Sequence, residues 1–474
     1  MDWFRRASVG VVVTVLFLAS PLGGEAAPAP ALRVALGGDL GSLDTPLLAD
    51  GTHLPLALAL ADFLVTTDPS TGFGVPGLAD SWVTSADRKT WTFSLKPARW
   101  SDGQALTAQD VADSWVRGSA APDPVGNVLV DQSAPDPRHL KVTFRDPVPS
   151  AAVFACWRFA VVGDLEVRTA GPFRIDSRVP GRSLTVTKNP RYREAASVRF
   201  DKVTFIFTDS PGTAELLFRK GEVDWVPYGS GPGTAVDPGL RDAVTAPGWG
   251  TTFLRFNLTL VPGSDPGLRK VLSLALDRRA LATNLRGPLS VPAASLIPGA
   301  TGVETRKTKV LPVAGIPAFT ILHPAGETPR RFALAVADQW SNRLGLTIDT
   351  KQSASADYLA DRKQGLYQVA LSGWLGDYPD PLTFLAAFRS DSADNDTGWS
   401  DPKFDALVDK IVQAPWGTDR TKLVAQAEGL LLGALPVVPL VHQASVNQIN
   451  LKKWSGWFAN PTDRHPWTGF GPKR

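Results

Sequence analysis

Apolar residues alternate at Leu32, Val34 and Leu36, the period-two signature of a half-buried strand, and a glycine-rich turn follows. Thr90–Pro97 (TWTFSLKP) alternates aromatic and polar residues, which predicts an antiparallel strand, and Ser101–Gln104 predicts a turn on Gly103. The period then changes. Thr107 with Asp110 three residues on forms a capping box, and Val111 and Trp115, with Val116 beside them, supply the buried stripe of a helix that stops near Gly118. Residues 171–190 read as two strands around Pro180-Gly181-Arg182, and Lys202–Asp209 as a third. Thr213–Arg219 reads as a helix ended by Gly221, leading into a short strand at Val223–Val226. Phe253–Leu258 predicts a strand, and Leu268–Leu285 carries a helical stripe at Leu268, Val271, Leu272, Ala275 and Leu276. Residues 291–318 are proline-rich loop, and Phe332–Lys351 reads as helix, Gly345 stop and strand. Strands are predicted after Leu366 and over Pro436–His442, and amphipathic helices from Phe404 and from Thr421. The alternation lacks a strict βαβ rhythm, so the pattern predicts an α/β (mixed α+β) chain with at least two lobes.

The amino end follows a different logic. Arg5 and Arg6 precede an apolar run from Val9 to Ala19, then Pro21 and small residues, the layout of a secretory signal over residues 1–26 with cleavage after Ala26. The run is about 11 residues against the roughly 20 needed to cross a bilayer, so export of a soluble protein to the periplasm or another extracytoplasmic space is expected, with an uncleaved anchor as the alternative. No cysteine follows the run, so no lipid attachment is expected there.

Composition narrows the function classes. A 474-residue chain that is 43% hydrophobic and 20% charged excludes intrinsic disorder, and 49 Lys+Arg against 46 Asp+Glu gives no reason to expect a nucleic-acid partner. The single cysteine, Cys156, can form no intramolecular disulfide and in AAVFACWRFA reads as a small core hydrophobe. No nucleophile elbow, zincin, P-loop or dinucleotide fingerprint occurs, and GSGPG at 229–233 reads as loop. His53, His139, His323, His442 and His465 are dispersed, so no metal site is assigned. Asp377 and Asp380 could form a hydrolytic carboxylate pair, but on a loop they read as turn formers. No catalytic residue or cofactor is assigned, and an enzyme is not expected.

An ordered series of motifs carries more. Ser42–Thr45 (SLDT) is similar to an opening S-L-D-P, with Thr45 replacing the proline. PGLADSW (Pro76–Trp82), TWTFSLKP and WSDGQALTAQDVADS (Trp100–Ser114) follow in order, then GPF (Gly171–Phe173), KNPRY (Lys188–Tyr192) and GEVDW (Gly221–Trp225). Phe256-Asn257 with LRKVLSLALDRRAL, GWLGDYPDPLTFL, FDALVD and AEGLLLGALPVVPL complete the set, Lys270-Val271 standing where Gln-Ala is commoner. The series resembles the family 5 extracellular solute-binding proteins of ABC transporters, the oligopeptide- and dipeptide-binding proteins, over nearly the whole mature chain.

The resemblance implies a periplasmic-binding-protein-like two-lobed fold of type II with an extra subdomain and a hinge between the lobes. It implies lobe I over 28–51, 166–258 and 445–474, an inserted subdomain over 52–165, and lobe II over 259–444. It also implies capture of a di- or oligopeptide between the lobes for delivery to a permease with its cytoplasmic ATPase, by a monomer. Asp377 occupies the position that pairs with a peptide's α-ammonium, Ser372, Gly373 and Leu375 would offer main-chain hydrogen bonds, and Trp374 an apolar wall or cation–π surface. Trp374 packing the core and Asp377 capping its turn are the structural alternatives. Ser101–Gly103, Asn189 and Asp277 are read as structural. No Arg or Lys is assigned to a ligand carboxylate. A nickel chelate, sugar or opine, or a sensory or scaffold role without transport, stays open as the alternative.

Overall fold

The computed structural model describes residues 31–39, 53–68, 73–118, 129–165, 167–229, 240, 242–286, 290–299, 310–376 and 378–473. The expected signal (1–26), Ser42–Thr45, most of the 229–233 loop and Asp377 lie outside the described residues.

One sheet contains β1 (Ala31–Gly37), β2 (Phe173–Val179), β3 (Ser183–Lys188), β4 (Lys202–Thr208), β5 (Trp225–Gly229), β6 (Ala243–Phe256), β7 (Ser290–Pro292), β8 (Phe319–Pro324), β9 (Ile348–Ser353), β10 (Val369–Leu375) and β11 (Val437–Ile449). Their order is β2-β3-β4-β1-β5-β11-β6-β10-β8-β9, with β7 on β11. The longer helices are α1 (Ala108–Gly118), α2 (Pro211–Arg219), α3 (Pro266–Leu274), α4 (Arg278–Arg286), α5 (Glu327–Leu344), α6 (Ser355–Lys363), α7 (Pro402–Gln413) and α8 (Thr418–Ala434).

Each half of the sheet rests on a parallel crossover. β4 and β5, joined by α2, flank β1 in parallel. Ser210 Oγ caps α2 by accepting from the Thr213 N–H at 3.1 Å, and Gly221 follows its end at φ 70°. In the other half α5 joins the parallel strands β8 and β9 and stops at Gly345, φ 72°, as its sequence predicts.

Two long strands connect the halves. Ala243–Pro247 of β6 pairs with Ala444–Gln448 of β11, and Thr251–Arg255 with Val437–His442. Between these stretches β6 advances from Pro247 to Thr251 while β11 advances only from Ala444 to His442, a bulge that bends the strand. Sequence periodicity predicts only Phe253–Leu258 and Pro436–His442, because PGWG at 247–250 has the composition of a turn and long-range pairing overrides it.

The apolar residues sort accordingly. Leu32, Phe205, Trp225, Trp454 and Trp467 share one cluster, tying β1 to the chain's end. Phe93, Trp115 and Phe154 centre a second, beneath a separate antiparallel sheet in which Thr90–Leu95 pairs with Ala79–Thr84 and His139–Phe144. Phe93 meets Phe154 edge-on at 4.9 Å, and burying each such ring contributes about 1.5–3 kcal/mol. Two further clusters lie on opposite faces of β6, one holding Leu254 and Phe256 and the other Phe253.

Two expectations need correction. The stripe from Leu268 to Leu285 is two helices, α3 and α4, because Asp277 breaks it by accepting from the Ala280 N–H at 2.9 Å, a cap that restarts the helix. Val116 is 55% exposed, so the buried face of α1 is Ala108, Val111, Ala112 and Trp115.

Candidate functional site

The candidate segment is the end of β10 and the turn after it. Gly250–Phe256 of β6 pairs with Val369–Leu375 along one edge of β10. On the other edge β8 pairs only with Val369 and Ala370. From Ser372 to Leu375 that second edge has no strand partner among the described residues, so its main-chain groups are available for hydrogen bonding. The side chains alternate. Gly373 and Leu375 are exposed, whereas Ser372 is buried with its Oγ 3.0 Å from Tyr358 Oη. Trp374 is half-buried against the cluster around Phe253 and Phe384, and its Nε1 is enclosed without a hydrogen-bond partner among the described residues. Ser372, Gly373, Trp374 and Leu375 are therefore contiguous on one open-edged strand, and Asp377 follows two residues later outside the described residues.

Three anchors hold the turn. Gly376 donates its N–H to Trp249 O at 2.7 Å, and Trp249 Nε1 donates to Tyr378 O at 2.9 Å, so one tryptophan brackets the position of Asp377 from both sides. A Cβ on Gly376 would stand 2.1 Å from Trp249 Cδ1, which explains the glycine. Tyr378 is buried in the cluster of Phe93 and Trp115, on the body carrying the smaller antiparallel sheet. Asp380 is fully buried, and Arg420 Nη2 donates to both its carboxylate oxygens at 3.0 and 2.8 Å while the Leu382 N–H donates to Oδ1 at 2.9 Å. Asp380, which the sequence offered only as a turn former beside Asp377, is committed to structure.

Sequence reasoning missed Trp249, Arg420 and His442, which lies beside the bulge between β6 and β11. Each lies far along the chain from the turn, and the only sequence signal is a tryptophan between two glycines. His442, on β11 opposite Thr251, has Nδ1 2.9 Å from Thr251 Oγ1, which itself donates to Leu296 O at 2.7 Å. Burial lowers the His442 pKa from 6.5 to about 4, so the ring is neutral at pH 7. Among the described residues no group of three His, Cys, Asp or Glu side chains could hold a metal ion, and no helix is long and apolar enough to cross a membrane. Cys156 is buried in the cluster of Phe93 and Trp115. Asn189 donates Nδ2 to Gly171 O at 2.9 Å and Ser101 Oγ accepts from the Thr169 N–H at 3.0 Å, both within the framework.

Residues 74–396 match the family described as bacterial extracellular solute-binding proteins, family 5 Middle. The chain is 28% identical to a probable deoxycholate-binding periplasmic protein, YgiS, of Escherichia coli K12, over 92% of each sequence. It is 27% identical to the periplasmic oligopeptide-binding protein OppA of Salmonella typhimurium, over 94% of each. The crystal structure of a periplasmic oligopeptide-binding protein, OppAIV, from Borrelia burgdorferi superposes with a TM-score of 0.75 at 23% identity, covering 94% of this chain and 100% of that one. Haemophilus influenzae OppA in complex with the peptide RPPGFSPFR gives 0.72 at 21%, covering 94% and 99%. These structures establish the two-lobed fold.

Proposed function

The chain belongs to family 5 of the bacterial extracellular solute-binding proteins, and from that premise we propose that it captures a di- or oligopeptide between its lobes and delivers it to the permease of an ABC importer, without chemistry of its own. The observation that carries this reading is the open edge of β10 over Ser372–Leu375, running directly into the turn that bears Asp377. A peptide added along that edge gains main-chain hydrogen bonds that any side-chain sequence supplies. Its α-ammonium pairs with Asp377, a charge-assisted contact strengthened by exclusion of water. Gly373 and Leu375 flank the peptide, and Trp374 Nε1 is a donor that a closed ligand can satisfy.

Further parts of the proposal are exported placement through residues 1–26, a monomeric state, and division into lobe I (28–51, 166–258, 445–474), subdomain (52–165) and lobe II (259–444). Separate apolar clusters support a chain of several bodies, with Leu56, Leu60 and Phe63 packing in the cluster of Leu32 and Trp225, and Phe253, Leu254 and Phe256 packing in the clusters of residues 259–444. The test is calorimetric titration with di- to pentapeptides and their N-acetylated forms, on the wild type and on Asp377→Asn. The proposal expects acetylation and Asp377→Asn each to weaken binding at least tenfold and not to compound. Equal affinity for free and acetylated peptides would remove Asp377 from the site. The relative named for deoxycholate favours one second reading, an apolar carboxylic acid as the solute, which binding of deoxycholate in place of any peptide would establish.

A further inference from the structure

Two half-exposed aromatic rings meet between separate apolar cores. Phe73 precedes the short strand Gly74–Pro76, which pairs antiparallel with Val65–Thr67, and Val65 packs in the cluster of Phe93 and Trp115 beneath the smaller sheet. A Cβ on Gly74 would stand 2.8 Å from Ala152 N, so the hairpin backbone lies directly on the 3₁₀ turn Ala151–Ala155 of that body. Trp416 stands in the link between α7 and α8, helices whose buried faces belong to the cluster of Phe253 and Phe384. The rings meet edge to face, 5.3 Å between centroids at 64°, and remain 48% and 47% exposed.

Each ring is held on its own side. The Arg420 guanidinium carbon lies 4.6 Å from the centre of the Trp416 ring, and Arg420 is itself fixed by Asp380 and by Ile411 O. Across the hairpin, the Asp68 N–H donates to Phe73 O at 2.9 Å. A second turn of the smaller body approaches the same place. Arg88 holds a left-handed backbone, φ 56°, unusual for a residue other than glycine, and its carbonyl accepts from Trp91 Nε1 at 3.1 Å and from the Val148 N–H at 3.0 Å. Burial and then the charge of Arg420 lower the Arg88 pKa while Asp380 opposes them, which puts the guanidinium within electrostatic reach of that pair. Two turns of the smaller body, at Phe73 and at Arg88, thus converge on the start of α8.

The ring contact is small and wet beside either core, so the two sides can part at it without unfolding. It also adjoins the candidate segment, because Arg420 beneath Trp416 binds Asp380 in the turn that follows β10. We propose that Phe73 and Trp416 form a latch between the smaller body and the α7–α8 side, which holds the molecule closed around its solute and sets affinity without touching that solute. This rests on capture between the lobes as proposed above. A solute that binds the closed form has its apparent affinity scaled by the fraction of molecules that are closed. An edge-to-face aromatic pair shifts such a balance about two- to tenfold.

The test is a double-mutant cycle on release of the tightest-binding peptide among the di- to pentapeptides above, followed by stopped flow in the wild type, Phe73→Ala, Trp416→Ala and the double variant. Each single variant should release the peptide about two- to tenfold faster with the association rate unchanged, and the double variant no faster than either single, because one contact is lost in all three. Phe73→Tyr keeps the ring and should keep the wild-type rate. A wild-type release rate in Phe73→Ala overturns the proposal, as do effects that multiply in the double variant. Thermal melting separates the latch from the fold: Phe73→Ala should melt with the wild type, and it carries the test alone if Trp416→Ala, which also uncovers Arg420, melts early. Small-angle scattering decides without any solute. Solute-free Phe73→Ala should have a larger radius of gyration than the solute-free wild type, and equal radii overturn the latch. If the wild type binds none of the peptides, the peptide reading fails, and the scattering comparison still decides on Phe73 and Trp416.

Discussion

Replacing Asp380 by alanine should be among the most damaging single changes near the site, although the residue faces no ligand. Asp380 is 0% exposed and Arg420 3%, with contacts of 2.8 and 3.0 Å between them. Arg420 also donates to Ile411 O at 3.1 Å and lies 4.6 Å from the Trp416 ring, so it cannot swing to solvent without dismantling the start of α8. Deleting the carboxylate leaves that charge buried and the Leu382 N–H without its acceptor, and breaking such a pair from one side costs about 3–5 kcal/mol. Asp380→Asn keeps an acceptor for Leu382 and should cost less, about 2–3 kcal/mol. The double variant Asp380→Leu with Arg420→Met should recover most of the loss, because no charge then remains to be solvated. Urea unfolding followed by tryptophan fluorescence measures all three. A loss below about 1 kcal/mol for Asp380→Ala would refute the argument, since it would mean that Arg420 finds water or another partner at no expense.

Gly376→Ala should expel the Trp249 ring from its seat, because the new Cβ would lie 2.1 Å from Cδ1, and peptide affinity should fall at least tenfold while the far-ultraviolet spectrum stays unchanged. Acid should destabilise the folded protein through His442. Its folded pKa, about 4, lies below its unfolded value of 6.5, so the unfolded chain binds the proton first as pH falls. The stability it contributes is complete above about pH 6.5 and is lost progressively down to about pH 4, up to about 3 kcal/mol in all. His442→Gln should flatten that part of the profile in melting curves taken from pH 7 to pH 4.

Periodicity and turn chemistry suffice where burial is a local property. The strand at Thr90–Leu95 alternates in burial as its residues alternate in polarity, α1 begins on the reciprocal Thr107–Asp110 cap, and Gly221 and Gly345 end their helices with positive φ. The ordered motifs add the family and so the fold. The sequence by itself therefore determined most elements, and it located the turn at GWLGDYP because a strand running into a Gly-Asp-Tyr-Pro turn is written contiguously. What it left undecided are choices made by residues distant in the chain. Whether PGWG is a turn or the bend of a continuous strand depends on β11, nearly two hundred residues later, lying alongside to satisfy its backbone. That Asp380 is buried depends on Arg420, forty positions downstream. Local pattern records which groups a residue prefers to avoid or meet, and only the packed chain decides which partner arrives to pair a buried charge.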